Sequence, residues 1–183
     1  MKWLGAALLC VIVVGFAAPA AAQDTPKAEV SLGYNWFGAK QSGEDEWTKF
    51  PKGWYFDVAG NISDTLSIVG QVTGNYKTFE DDSTAKLHFF MAGIRGSSPG
   101  RVRGFGQVLL GSVRSSVDDV VFGESSENDF ALQLGGGVNA LGSGNVGLRA
   151  GVDYIRVFTG EGSDSDVNGF RFTVGVTFGI GSR

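Results

Sequence analysis

His88 is the single histidine of this chain, and on residue type alone it is the first candidate for proton transfer. To activate a nucleophile it needs a hydroxyl or thiol within hydrogen-bond reach. Cys10 is the only cysteine and lies in an N-terminal apolar run, so the nucleophile has to be a serine. Phe89 and Phe90 follow His88 directly, so the serine must be brought from another connection, such as Ser83 or Ser115. For metal chemistry, Asp164-Ser165-Asp166-Val167-Asn168-Gly169 matches the first half of a calcium loop, D-x-D-x-N-G. Its twelfth position, where a bidentate glutamate belongs, is Gly175. Gly135-Gly136-Gly137 opens no helix and is no phosphate-binding loop. We assign no catalytic residue, no metal and no cofactor.

Most remaining acids crowd into four segments: Glu44, Asp45, Glu46; Glu80, Asp81, Asp82; Asp118, Asp119, Glu124, Glu127; and Glu161, Asp164, Asp166. We read them as solvated loops; a rim sharing divalent cations with lipid phosphates is the alternative. A second polar set alternates with apolar residues: Asn35, Asp57, Asn61, Gln71, Gln133, Asn139, Arg149, Asp153 and Arg171. Enclosed in a barrel, these side chains must satisfy one another. We expect Asp57, Gln133, Arg149, Asp153 and Arg171 to form a lumen network. Asp153 is expected opposite Gln133 on one side, and opposite Thr173 and diagonal to Arg171 on the other.

The elements that place them are strands. From Phe170 to Ile180 every even position is apolar (Phe170, Phe172, Val174, Val176, Phe178, Ile180), and the odd positions are small or polar. Successive strand side chains point to opposite faces, so one strand meets two environments. The alternation recurs at Val30–Trp36, Trp54–Ile62, Leu66–Lys77, Phe130–Ala140 and Val146–Tyr154. Leu87–Gly96 and Val102–Val113 are also strands, but their mixed pattern leaves the facing open. The sum is about eight strands, each near the ~10 residues that cross a bilayer when tilted.

Connections alternate in length. Short turns fall at Ser63-Asp64-Thr65, Ser97-Ser98-Pro99-Gly100 and Gly142-Ser143-Gly144-Asn145. Long ones run over Lys40–Lys52, Thr78–Thr84, Arg114–Glu127 and Thr159–Val167. Antiparallel up-and-down strands with two unlike rims follow. Tyr34, Trp36, Trp54, Phe56, Tyr76, Phe89, Phe130, Tyr154, Phe158, Phe170 and Phe172 border the long connections, as a girdle at one membrane interface would. Phe105 and Phe178 mark the other rim.

The N-terminus orders Lys2, an apolar run from Trp3 to Ala18, Pro19 and then Ala20-Ala21-Ala22. That is a secretory signal peptide over residues 1–22, leaving a barrel domain over 23–183. The run is shorter than the ~20 residues of a spanning helix. The mature part then has no cysteine and can form no disulfide. A formal net charge of -4 argues against nucleic acid as a partner.

The last strand carries a motif. Thr173, Gly175, Phe178 and Ile180 fall in the order polar, glycine, aromatic, apolar of the C-terminal β-signal read by the barrel-assembly machinery, with Gly181-Ser182-Arg183 after it. Together with Phe90-Met91-Ala92-Gly93-Ile94-Arg95 and Arg149-Ala150-Gly151-Val152-Asp153-Tyr154, the mature chain resembles the small outer-membrane β-barrel families typified by outer-membrane proteins A and X, the porin-like outer-membrane β-barrel domains. The resemblance implies periplasmic termini and short turns, with the long connections outside. Lipid-modifying barrel enzymes include a deacylase type with a serine two residues after its histidine, a spacing missing here.

The reading is an all-β, eight-stranded antiparallel up-and-down transmembrane barrel of the bacterial outer membrane, preceded by a cleaved signal peptide. Its partners are outer-membrane lipids, lipopolysaccharide and, during insertion, the assembly machinery; it is a monomer. Its role is structural or surface interaction, with a side-chain-filled polar lumen and acidic outer loops. The alternatives are a narrow channel for ions or small solutes, a lipid-A-modifying enzyme, and a soluble periplasmic lipocalin-like barrel with its apolar face inward.

Overall fold

A computed structural model describes residues 25–41, 46–79, 84–100, 102–119, 123–141, 145–160 and 166–182. The strands are β1 (Pro26–Gln41), β2 (Thr48–Phe50), β3 (Lys52–Asn61), β4 (Leu66–Thr78), β5 (Thr84–Ser97), β6 (Val102–Asp119), β7 (Gly123–Leu141), β8 (Val146–Phe158) and β9 (Val167–Ser182). β1 and β3 to β9 pair antiparallel in chain order, and β1 also pairs with β9, which closes the barrel. Closure leaves no unpaired edge within the wall, as a hydrocarbon solvent requires. All eight expected strands are present.

The short strand β2 is an addition inside the expected long connection Lys40–Lys52. It pairs with β1 through Phe37↔Phe50 and turns Phe50 into the interior, where it is buried. Pro51, which has no amide hydrogen to give a ladder, separates it from β3.

The connection expected at Arg114–Glu127 is mostly strand. β6 and β7 stay paired from Val102↔Ala140 to Asp119↔Gly123. Among the described residues β8 begins its pairing with β7 at Phe130, so within them Gly123–Asp129 has a strand neighbour on the β6 side alone. Outside the bilayer both faces of a strand meet water, and the hydrophobic alternation that reveals a strand disappears there.

Facing follows the even positions. Leu32, Phe56, Ile68, Phe90, Ile94, Leu110, Leu134, Leu148, Phe172 and Val174 are exposed on the outside. Asp57, Gln71, Gln133, Arg149, Asp153 and Arg171 are buried inside. A lipocalin-like barrel would reverse both sets, and that alternative is excluded. The two strands of open facing are settled as well. Phe89, Met91 and Arg95 of β5, and Arg103, Phe105, Gln107, Leu109 and Val113 of β6, point inward. Phe89 and Phe105 are therefore not girdle residues, contrary to the sequence expectation. Among those named for the girdle, Tyr34, Trp54, Phe56, Phe130, Phe158, Phe170 and Phe172 are exposed on the outer wall.

Candidate functional site

The enclosed interior has two layers, where a polar one was expected throughout. The half nearer the short turns is charged. Asp57 accepts from the Nη2 of Arg95 and lies 3.2 Å from the Nη1 of Arg149. Arg149 also donates to Ser31 Oγ at 3.3 Å, and Ser31 donates to Thr177 Oγ1 at 2.9 Å. Arg95 donates from Nε and Nη2 to Gln107 Oε1 at 3.0 and 2.8 Å, and Gln107 Nε2 donates to Asp153 Oδ1 at 2.9 Å. Closer to the turn end, Arg103 Nη2 lies 2.6 Å from Glu29 Oε1, which also accepts from Asn61 Nδ2 at 3.3 Å. Each charge out of water has a geometric partner, the condition under which burial is tolerated.

Arg171 is arranged differently. Its Nη1 donates to Gln71 and Gln133 at 3.1 and 3.3 Å, and Gln133 Nε2 donates to Gln71 Oε1 at 3.0 Å. Among the described residues it has no ion pair. Its guanidinium carbon instead lies 4.8 Å from the ring centre of Phe89 and 5.9 Å from that of Phe37. A delocalised guanidinium suits such a seat better than an ammonium. The register makes Asp153 its direct cross-strand neighbour, and Asp153 lies opposite Gly135 on β7. The expected opposites, Thr173 and Gln133, pair instead with Gly151 and Ile155.

Above Arg171 the interior turns apolar. Phe37, Phe50, Phe89, Met91, Leu109, Val113, Ala131, Ile155 and Val157 form one buried cluster. Phe37 and Phe89 meet edge to face with ring centres 5.4 Å apart. Over this layer, at the end of the long connections, is a cavity of about 340 Å³ lined by Phe37, Phe89 and Val113 and edged by Lys40, Glu127 and Asp129.

Sequence reasoning missed Glu29, Arg95, Arg103, Phe105 and Gln107. Arg95, Arg103, Phe105 and Gln107 sit on the two strands whose alternation is blurred. Phe105 is the hub of the charged layer: the guanidiniums of Arg149 and Arg95 lie 4.2 and 5.1 Å from its ring centre. The space for that ring comes from the glycine run. A Cβ on Gly137 would lie 2.1 Å from the Ala150 carbonyl oxygen, 2.7 Å from the Gly151 Cα and 2.9 Å from Phe105 Cζ. Gly137→Ala is expected to overpack both the β8 backbone and the Phe105 ring and to cost at least about 1–3 kcal/mol. Gly60→Ala, where nothing lies within 4 Å of the added carbon, is the control. The readout is the refolded fraction with heat-modifiable migration; equal fractions for the two variants would refute the packing role.

The other candidates separate. His88 faces outward at the wall, where its Nε2 is 3.3 Å from Tyr76 Oη. Ser115 lines the mouth cavity, on the inner side, so the two cannot pair. Ser83 lies outside the described residues, as do the signal segment 1–22 and Glu44, Asp45, Glu80, Asp81, Asp82, Glu161 and Asp164. Of the calcium-like loop, Asp166 accepts from Arg156 Nε and Nη2 at 3.1 and 2.7 Å, and Asn168 accepts from Tyr154 Oη at 2.6 Å. In β9, Thr173 points inward, Phe178 and Ile180 point outward, and Gly175 lies against Gly33 and Arg149 in the ladder.

Comparison with solved structures gives the same architecture. Neisserial surface protein A matches with a TM-score of 0.71 at 18% identity over 84% of this chain and 97% of that one. Ail, the attachment invasion locus protein of Yersinia pestis, matches at 0.59 with 18% identity, over 84% of this chain and 99% of Ail. OprG from Pseudomonas aeruginosa matches at 0.54 with 7% identity, over 90% and 100%. At these identities the likeness is one of fold. No curated protein sequence matches the chain. The family model described as outer membrane protein beta-barrel domain matches residues 7–178. With a closed barrel, an apolar outer wall and a charged interior already established, that match means that the chain belongs to the outer membrane protein beta-barrel domain family and has its place in the bacterial outer membrane.

Proposed function

We propose that this chain is a structural and surface-interaction barrel that does not conduct. One observation carries the reading: side chains fill the interior, from the Arg103–Glu29 pair at the turn end to the layer of Phe37, Phe89, Leu109 and Ile155 below the mouth. Small barrels of this strand number have interiors just wide enough for side chains to fill. The purified barrel in a planar bilayer is expected to give no conductance steps. Reproducible unitary steps would establish the channel reading in its place.

The rest of the reading concerns assembly and outlook. Residues 1–22 are removed on export, and residues 23–183 form the mature domain. Thr173, Gly175, Phe178 and Ile180 serve as the β-signal for the assembly machinery. The monomer stands among outer-membrane lipids and lipopolysaccharide with its acidic connections outside, and it catalyses no reaction. Ail, similar in fold, is an attachment protein and has been solved with the heparin analogue sucrose octasulfate. The acids in the outer connections of this chain would repel so anionic a ligand. A partner held by those connections is therefore expected to be neutral or cationic.

A further inference from the structure

The outer wall is not uniform around its circumference. On the β2–β6 side, near the long connections, it carries a belt of donors. Lys49 on β2 neighbours Phe50, which points inward, so Lys49 points out and is exposed. The register then aligns Lys52 with Tyr76 and Tyr76 with Lys86, and beside them Trp54 with Gly74, Gly74 with His88, and His88 with Arg114. Trp54 Nε1 donates to Tyr76 Oη at 3.1 Å, and a Cβ on Gly74 would lie 2.6 Å from that indole nitrogen. Immediately below runs an apolar row in the same register, Phe56, Val72 and Phe90.

The opposite sector differs. There, at the same end, Tyr154 packs on Phe170 and Phe158 on Phe130, and Arg156 is held by the carboxylate of Asp166 through two nitrogens, whereas Arg114 of the belt donates to the neutral Ser126 Oγ at 3.4 Å. Of the described acids at this end, Glu127 and Asp129 edge the mouth cavity, while Glu46 precedes Lys49 by three residues.

We propose that the belt of Lys49, Lys52, Trp54, Tyr76 and Arg114 is a binding site for the phosphorylated headgroup of an outer-leaflet glycolipid, the lipid A portion of lipopolysaccharide. The inference deepens the surface-barrel reading, and it rests on the long connections facing outward. The apolar row meets acyl chains. Above it, long basic side chains keep their stems on the wall and their charges at headgroup level. Tryptophan and tyrosine favour that boundary, one end apolar and the other wet. From β3 to β6 the belt spans three strand spacings, roughly 14 Å, wide enough to hold two phosphates of one disaccharide headgroup rather than one small anion. Arginine and lysine donate charge-assisted hydrogen bonds to phosphate oxygens.

The test titrates the full mature barrel, refolded in micelles, with lipid A bearing both phosphates, with dephosphorylated lipid A and with phosphatidylglycerol, following intrinsic tryptophan fluorescence and native mass spectra. Bisphosphorylated lipid A is expected to bind at least about tenfold more tightly than the other two, a difference near 1.4 kcal/mol. K49Q/K52Q/R114Q is expected to lose that preference, K49R/K52R/R114K to regain most of it, and R156Q to keep it. Heat-modifiable migration reports the barrel independently, and the single variants K52Q and R114Q serve if the triple does not fold. Unchanged binding by folded belt variants, an equal loss in R156Q, or equal affinity for phosphatidylglycerol would overturn the site. None of these results would touch the non-conducting barrel reading, which bilayer recordings test separately.

Discussion

Replacing Asp57 by alanine is expected to lower the unfolding free energy by about 3–5 kcal/mol, the cost of stranding buried charge whose partner has gone. Asp57 is fully enclosed and is the carboxylate shared by Arg95 and Arg149. Without it, two guanidiniums remain on the Phe105 ring with no anion between them. Gln107 still accepts from Arg95, and Ser31 from Arg149, but neither supplies charge. Urea unfolding of the refolded protein in phospholipid vesicles, read by heat-modifiable migration, measures the loss. Arg171→Leu is the sharpest comparison. Arg171 is held by amides and aromatic faces, and its removal leaves Gln133 and Gln71 still bonded to each other. Its cost is expected to be well below that of Asp57→Ala. Equal losses would mean that the interior responds to volume rather than to charge pairing.

The second large effect is on the outer wall. Val174→Arg is expected to destabilise the inserted barrel by about 2–4 kcal/mol, the cost of a guanidinium facing hydrocarbon near the bilayer midplane. Val174 lies midway along β9, between Tyr34 and Ala150 of the flanking strands, and is 57% exposed. In a water-soluble protein an exposed valine so changed would cost almost nothing. The sign and size of this one substitution therefore report the solvent of the wall. An unfolding curve that matches the parent protein would remove the bilayer from the account.

The sequence made the faces of most strands legible and left their alignment ambiguous. Period-two patterning says which way Asp153, Arg149 and Arg171 point. It does not say which residue stands across, because a slip by two preserves every face. Asp153 was expected across from Gln133 and Thr173, and the actual ladders put it across from Gly135 and Arg171. Both ladders are displaced by two positions, which hairpin lengths alone could not reveal. The blurred strands have a different cause. β5 and β6 feed the apolar upper layer with Phe89, Met91, Leu109 and Val113 while their outward residues face lipid, so both faces read as apolar. That hid Arg95, Arg103 and Gln107. The glycine run Gly135-Gly136-Gly137 looked like slack in a strand; only the coordinates show the ring of Phe105 and the carboxylate of Asp153 beside it.

The unequal heights of the strands bear on how this protein keeps its own company. Where β7 rises past Phe130, none of the described residues pairs with the flank of its segment Gly123–Asp129 that faces away from β6. Such a flank is a template on which another extended chain can lie. The segment's sequence includes Glu124, Glu127 and Asp129. A second molecule docking flank to flank would bring carboxylates alongside carboxylates, which disfavours self-stacking, whereas a neutral or basic strand from elsewhere would meet no such barrier.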